Sequence, residues 1–225
     1  MERSLVSVIV AVKNGERYLA SALESIFAQD YHPFEVIVVD GGSVDGTQAI
    51  AKSFLDVRLI DQTGQGLADA WNTGIDAAKG EFIAFLSSDD LWTSNKLSTQ
   101  VNFLLRHPEI EYTVARVKFF LEPGHLLPRG FRPELLSGDR VGKIMETLVV
   151  RKSLFKSIGN FDPLLFVAED VDWFSKANDR QIPMAILPNV LLYKRIHDRN
   201  ISLNSKINNH NLLKIMRKSI HRKRN

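Results

Sequence analysis

Phe82-Ile83-Ala84-Phe85-Leu86-Ser87-Ser88-Asp89-Asp90 is the stretch whose reading decides the fold. Five apolar residues in succession read as a strand buried on both faces, of the kind found inside a parallel sheet. The run ends in two hydroxyls and two adjacent carboxylates. These project from the strand's carboxyl end, where open α/β sheets bind their ligands. Two acids at a strand tip pack poorly, but their oxygens suit a hard divalent cation and, through it, a diphosphate.

Upstream of this strand, Val6 to Val12 is apolar and β-branched, and Asn14-Gly15 stops it. Tyr18, Leu19, Leu23, Ile26 and Phe27 then recur at helical spacing. Phe34 to Val39 reads as a second buried strand, Asp45 to Phe54 as a helix and Val57 to Ile60 as a short strand. Leu67 to Ala78 reads as a helix with Gly80 beyond its end. Four strands alternating with three helices predict a βαβ series and a parallel sheet. Downstream, the spacing predicts helices over Asn95–Leu105, Arg151–Ile158 and Asp170–Ala177. It predicts strands over Tyr112–Leu121, Val141–Val150 and Ile186–Tyr193, with a loop from Glu122 to Asp139.

The chain has 225 residues, 44% apolar and 24% charged, which suits one large domain or one domain with an embellishment. The absence of Cys excludes a disulfide frame, a thiolate zinc site and a Cys nucleophile. No apolar run approaches a membrane span, and Met1-Glu2-Arg3 leads straight into a strand-like segment rather than a signal peptide. The expectation is a cytoplasmic protein. The net charge of +3 is unevenly placed: seven Lys or Arg and no acid lie from Lys206 onward, which leaves the rest at −4. The basic pI near 9.1 thus describes a tail, and nothing outside it suggests nucleic acid.

Asp40-Gly41-Gly42-Ser43-Val44-Asp45-Gly46-Thr47 follows the second strand. Its glycines permit close backbone approach to a nucleotide, and equally a capped strand-to-helix turn. Glu169-Asp170-Val171-Asp172 offers a general base, or simply acids matched to a helix N-terminus. His197 reads as a metal ligand or as a hydrogen-bonded surface residue. Gly64-Gln65-Gly66-Leu67-Ala68-Asp69 is not a dinucleotide fingerprint, because Asp69 stands where the third Gly belongs and the segment follows the third strand.

In their order, these segments resemble family 2 glycosyltransferases of the GT-A fold. The resemblance is carried by Val6–Glu16, Val38–Thr47, Gly66–Ile75, Ala78–Ile83, Asp89–Trp92, Gly159–Asp162, Glu169–Asp172 and Arg195–His197, and covers about residues 5 to 203. It implies an α/β domain with a mostly parallel, Rossmann-like central sheet over 1–203. Residues 1–92 would bind the nucleotide sugar and 93–203 the acceptor, with 204–225 a basic amphipathic helical tail. It also implies an inverting, metal-dependent transfer from a nucleotide-diphosphate sugar to a hydroxyl acceptor, in polysaccharide or glycolipid assembly.

On the matching positions, Ala11, Val12, Lys13, Asn14, Asp40, Gly41 and Gly42 would hold base and ribose. Asp69 and Asn72 would line the donor pocket. Ser87-Ser88-Asp89 stands at the Asp-x-Asp element, so Asp89 would bind Mn²⁺ or Mg²⁺ with His197, and Asp170 would be the base. Two positions depart from the family pattern: Gly41 replaces a second acid after the second strand, and Ser87 replaces the first acid of Asp-x-Asp. They motivate the alternative of a non-catalytic nucleotide-sugar-binding relative, against which Asp89, Asp170 and His197 weigh. A nucleotidyltransferase would need a Gly-rich, Arg- or Lys-bearing loop after the first strand, which Lys13-Asn14-Gly15-Glu16 does not supply. The tail, with Leu212, Met216 and Ile220 at helical spacing beside Lys214, Arg217 and Lys218, suits an anionic membrane surface at the inner face of the plasma membrane, where a lipid-linked saccharide acceptor would sit. It equally suits a helix packed on its own domain.

Overall fold

The computed structural model describes residues 3–165, 168–200 and 205–224, with the backbone alone over 205–211 and at 224. The expected boundary between domain and tail, at 203–204, lies outside the described residues. Strands β1 (Val6–Val12), β2 (Phe34–Asp40), β3 (Val57–Asp61) and β4 (Phe82–Ser87) alternate with helices α1 (Leu19–Phe27), α2 (Thr47–Ser53) and α3 (Gly66–Ala77). Each helix carries the chain back across the sheet, so the four strands pair in parallel in the order β3-β2-β1-β4. The remaining elements are β5 (Leu91–Trp92), α4 (Lys96–Arg106), β6 (Tyr112–Leu121), β7 (Arg140–Val141), β8 (Val149–Arg151), α5 (Ser153–Ile158), α6 (Glu169–Asp179), β9 (Met184–Ile196) and α7 (Ser205–Arg224). They extend the sheet as β4-β8-β6-β9-β5, with β7 beside β6. Here β6 and β9 run parallel, whereas β8 is antiparallel to both neighbours and β5 to β9. The parallel pattern therefore holds through β4 and becomes mixed beyond it.

The period-two geometry of a strand sorts its side chains onto two cores. Val8, Val10, Val36, Val38, Ala84 and Leu86 face α1 and α4, meeting Leu23, Ile26, Leu97, Val101 and Leu104. Ile9, Ile37, Val39, Ile83 and Phe85 face α3, α5 and α6. On that second side Phe85 meets the edges of Trp71 at 5.2 Å and Phe161 at 6.0 Å, a preferred aromatic geometry. Each such ring taken from water contributes about 1.5–3 kcal/mol. A side chain at Gly74 would run into Ile9, so α3 lies on β1 more closely than any other residue there would permit.

Two expectations are corrected. The strand foreseen over Val141–Val150 breaks into β7, a single 3-10 turn at Met145–Thr147, and β8. The Gly142 amide donates to Ala115 O at 2.9 Å and the Thr147 amide to Ile144 O at 3.2 Å, folding the backbone back on itself. The last strand continues past Tyr193 to Ile196, because β9 pairs with β6 as far as Leu121↔Ile196. Lys194 and Arg195 are thereby carried to the end of the sheet where β4 finishes.

Helix α7 packs on α6 with Ile215 buried and with several polar contacts to the domain. The Arg222 guanidinium and the Ser219 hydroxyl each donate to Asp179 at 2.8 Å, and Lys218 donates to Asp162 at 2.6 Å. Much of the basic charge of the tail is thus neutralised by the domain. No helix among the described residues is long and apolar enough to cross a membrane.

Candidate active site

Strand register brings the loops of the first half together. Val12 pairs with Asp40, Asp40 with Asp61, and Ala11 with Ser87, so four strand tips end at one edge. Ala11 and Val12 are buried and Lys13 is exposed. Asn14, in the left-handed region at φ 53°, accepts from the Val44 amide at 2.9 Å, while its own amide donates to Ser43 Oγ at 2.8 Å. The Gly15 amide donates to Thr47 Oγ1 at 2.8 Å, and a Cβ on Gly15 would lie 3.2 Å from Ser88 Oγ. The loops after β1, β2 and β4 therefore form one floor. The Asp40 carboxylate is buried and accepts from the Ser43 amide and from Gln48 Nε2 at 2.8 Å, which organises the turn through Gly41 and Gly42. A Cβ on Gly41 would stand 2.9 Å from Gln62 Oε1. Gln62 fills the space that an acid at position 41 would need.

The two acids of the opening stretch diverge. Asp90 is fully buried, and its Oδ1 accepts from the Arg195 amide at 2.9 Å while Oδ2 accepts from Lys194 Nζ at 2.7 Å. Asp89 is one-quarter exposed, and its Oδ2 lies 2.8 Å from His197 Nε2. The Arg199 amide donates to His197 Nδ1 at 3.2 Å, which assigns the ring proton to Nε2, facing Asp89. Burial pushes the Asp89 carboxyl up, but the His197 hydrogen bond and the Lys194 charge outweigh it and hold the group below the usual carboxylate range. Asn200 Nδ2 donates to Asp89 Oδ2 at 3.3 Å and Asn200 Oδ1 accepts from the His197 amide at 2.7 Å. Arg195 lies beneath this pair: its Nε donates to Asp89 O at 2.9 Å, its guanidinium pairs with Glu122, and the Tyr18 and Phe120 rings lie 4.5 and 4.8 Å away.

Among the described residues no group of three or more His, Cys, Asp or Glu gathers to hold a metal ion. The pair itself passes a test of fit. Neighbouring ligands of an octahedral cation with bonds of about 2.1 Å lie about 3 Å apart. The 2.8 Å between Asp89 Oδ2 and His197 Nε2 is close to that separation, and the ring proton would have to pass from Nε2 to Nδ1, with the Arg199 amide turning away, before Nε2 could ligate. Oxygen and imidazole donors suit Mn²⁺, with diphosphate oxygens and water completing the shell.

A second layer was not legible in the sequence. Glu146, on the 3-10 turn, accepts from Ser87 Oγ at 2.6 Å and from Lys194 Nζ at 3.1 Å. Burial alone would discharge Lys194, but Asp90, Glu146 and Asp89 surround it and hold it charged, raised above the ordinary ammonium value. The one available signal for Glu146 was an isolated acid in the apolar run Ile144–Val150.

The acids of α6 also separate. Asp172 is buried, 2.7 Å from Lys176 Nζ. Glu169 is buried beside Asp170, and its carboxyl is pushed up to about 8. Asp170 is partly exposed and is raised to about 6, by burial first and by the Glu146 charge second. At neutral pH Asp170 is the ionised member of the pair. Asp69 accepts from the Gln65 amide at 2.8 Å and shapes the loop before α3. Asn72 exchanges two 3.0 Å hydrogen bonds with the Phe161 backbone, tying α3 to the segment before α6.

The tips of β1 to β4 thus carry polar loops and an acid–imidazole pair, and α6 carries a raised carboxylate, on a mixed α/β sheet. Residues 7–158 match the model of Glycosyl transferase family 2, and the chain belongs to that family. An uncharacterized glycosyltransferase of Rickettsia typhi is 32% identical over 208 residues, 86% of this chain and 64% of the relative. The Escherichia coli UDP-Glc:alpha-D-GlcNAc-diphosphoundecaprenol beta-1,3-glucosyltransferase WfgD is 37% identical over 110 residues, 48% of this chain and 44% of that protein. The mannosyltransferase PcManGT of Pyrobaculum calidifontis, solved with GDP-Man and Mn²⁺, superposes with a TM-score of 0.73 at 25% identity, over 98% of this chain and 65% of that one. The chain thus spans less than two thirds of the length of each. Its fold is that of the GT-A glycosyltransferases.

Proposed function

We propose that this chain transfers a sugar, with inversion, from a nucleotide-diphosphate sugar to a hydroxyl of a saccharide or lipid-linked saccharide, in assembly of cell-surface polysaccharide or glycolipid. The observation that carries the reading is the Asp89–His197 pair at the end of β4, fitted to a divalent cation. The floor of Ala11, Val12, Lys13, Asn14, Asp40, Gly41 and Gly42 would receive base and ribose, with Asp69 and Asn72 bordering the pocket and Ser87 and Ser88 beside the diphosphate. Asp89 and His197 would hold Mn²⁺ or Mg²⁺, which when bound offsets charge gathering on the departing nucleoside diphosphate. Asp170 takes the acceptor hydroxyl's proton as that oxygen bonds to the anomeric carbon and the bond from that carbon to the diphosphate oxygen breaks on the opposite face.

The test is thermal shift and calorimetry with UDP-glucose, UDP-GlcNAc and GDP-mannose, with and without Mn²⁺, followed by NMR of the product's anomeric configuration. Nucleotide binding that ignores the cation, or a retained anomer, overturns the reading. Gly41 and Ser87 favour the second reading, a binding protein without turnover. Binding of a donor with no hydrolysis or transfer would select it.

Helix α7 leaves Leu213, Met216 and Ile220 exposed beside Lys214 and Arg217. This stripe supports docking on an anionic membrane at the cytoplasmic face. Co-sedimentation of the full chain with phosphatidylglycerol vesicles should fall in a Leu213→Glu/Met216→Glu variant, and equal pelleting removes the membrane from the account.

A further inference from the structure

Resting on that reading, we propose that Glu146 belongs to the donor site: its carboxylate fixes the Ser87 hydroxyl as a hydrogen-bond acceptor for a hydroxyl of the nucleotide sugar, and it places a negative charge between Ser87 and Asp170. A serine hydroxyl has one hydrogen to give. Ser87 gives it to Glu146 Oε1 at 2.6 Å, across 59 residues of sequence. Toward a ligand at the tip of β4 the oxygen can then only accept, so the group it meets must be a donor. A ribose or sugar hydroxyl is the donor that a nucleotide sugar offers.

Packing does not explain the carboxylate. Glu146 sits among Met145, Thr147, Leu148 and Val149, all buried. Its side chain is only 11% exposed. An ionised carboxylate can only accept, whereas an amide presents either its oxygen or its NH2 and leaves the direction of the Ser87 hydroxyl open. Lys194 lies 2.7 Å from Asp90 and 3.1 Å from Glu146, but burial pushes the Asp90 carboxyl up to about 8, so Glu146 is the carboxylate that stays ionised beside it at neutral pH. Lys194 and the Ser87 hydrogen bond outweigh burial and hold the Glu146 carboxyl below its ordinary value, so the charge stays on Glu146. Backbone contacts fix where it falls, because the Trp92 indole donates to Glu146 O at 3.0 Å and holds the turn against β5.

That charge reaches the far side of the site. Asp170 is faced by Glu146 from the turn, by Lys194 from β9 and by Glu169 from its own helix. After burial, Glu146 is the strongest influence holding the Asp170 proton, and Lys194 opposes it. Glu146 is thus a positioning residue for Ser87 and an electrostatic neighbour of the group that takes the acceptor's proton.

The experiment compares Glu146→Gln, Glu146→Asp, Ser87→Ala and the Glu146→Gln/Ser87→Ala double variant. Calorimetry with UDP and GDP in Mn²⁺ reads affinity, and kcat/KM against pH is measured on whichever of UDP-glucose, UDP-GlcNAc and GDP-mannose the wild type turns over. Glu146→Gln should weaken nucleotide binding about tenfold, and the double variant should be scarcely weaker, since both changes remove the same fixed direction of the Ser87 hydroxyl. In Glu146→Gln the acid limb of kcat/KM should move to lower pH by about half a unit or more, as expected for loss of a like charge. Ser87→Ala should leave that limb in place. Glu146→Asp, which keeps the charge but draws it back, should lose affinity and retain the limb. An unmoved limb in Glu146→Gln, or multiplicative losses in the double variant, overturns the inference. If Glu146→Gln does not fold, full affinity in Glu146→Asp does the same. A wild type inert toward all three donors and blind to Mn²⁺ sinks the functional reading instead.

Discussion

Asp89 Oδ2 and His197 Nε2 meet at 2.8 Å across 108 residues of sequence, at the point where the ends of β4 and β9 converge. Arg195 and Asn200 hold both partners in place, through Asp89 O and the His197 amide respectively. Asp89→Ala and His197→Ala should each lower kcat by on the order of 10²–10³-fold, the scale of losing one stabiliser of developing negative charge. Mn²⁺-dependent UDP or GDP binding, followed by calorimetry, should weaken in parallel. Cation-dependent binding that survives in both variants removes the pair from the site.

Asp170→Asn keeps shape and removes basicity. It should lower kcat by about 10²–10⁴-fold, the usual contribution of a positioned base. Nucleotide affinity should change little. In the wild type Asp170 must be ionised to accept a proton, and its carboxyl is raised to about 6. The kcat/KM profile should therefore fall as pH drops below about 6, and this acid limb should vanish from the residual activity of Asp170→Asn.

Gly41→Asp would restore an acid, but its Cβ would stand 2.9 Å from Gln62 Oε1 and 3.4 Å from Lys13 Cβ. Gln62 is tied in turn, its Nε2 donating to Gly66 O at 2.7 Å. Gln62 Oε1 is the far end of a half-exposed, flexible side chain, so the substitution should cost less than about 1 kcal/mol. Most of that cost should disappear in a Gln62→Ala background, as read by urea melts. Equal destabilisation in both backgrounds would show that Gln62 is not the obstacle.

Lys96 is fully buried, donating to Gln100 Oε1 at 2.7 Å with its Nζ 4.4 Å from the centre of the Trp92 ring. Burial holds its pKa well below the ordinary ammonium value. Between that lowered value and about 10.4 the unfolded chain binds the extra proton, so stability rises with pH across this window. Lys96→Met should stabilise the protein at neutral pH by about 1 kcal/mol or more, since a matched apolar side chain carries no charge to desolvate. The advantage should shrink as pH approaches 10. A variant less stable than wild type at neutral pH would refute this account of Lys96.

Arg222 on α7 donates to Asp179, whose side chain is only 3% exposed, and to Ser175 Oγ at 3.1 Å, both on α6. Arg222→Ala should cost about 1–3 kcal/mol, because it strips a partner from a buried carboxylate. Faster hydrogen exchange in α6 should accompany the loss. Unchanged exchange there would mean that α7 does not brace the helix carrying Asp170.

Local patterning was enough for the first half of the sheet. Alternate side chains of β1, β2 and β4 enter two cores, so apolar runs broken by Asn14-Gly15, Asp40-Gly41-Gly42 and Gly80 already announce strands, crossovers and their polar ends. Asp89, Asp170 and His197 were singled out on a different ground, the order of eight short motifs, and the structure brings Asp89 and His197 to 2.8 Å. The 3-10 turn at Met145–Thr147 was not legible, because Val141–Val150 is apolar enough for a strand and only its hydrogen bonds to β6 and within itself bend it.

The amino-acid order alone determined the βαβ half of the domain, the edge of the sheet that carries polar loops, and the basic helical tail, since each follows from side-chain periodicity within a few turns of chain. Tertiary structure decided which of two adjacent aspartates stays part exposed, that Glu146 bonds Ser87, that Gln62 stands beside Gly41, and that tail cations pair with Asp162 and Asp179. Those outcomes depend on which strand ends abut. A charge takes its partner from whatever the long-range register sets within about 3 Å of it, and no local spacing records that distance.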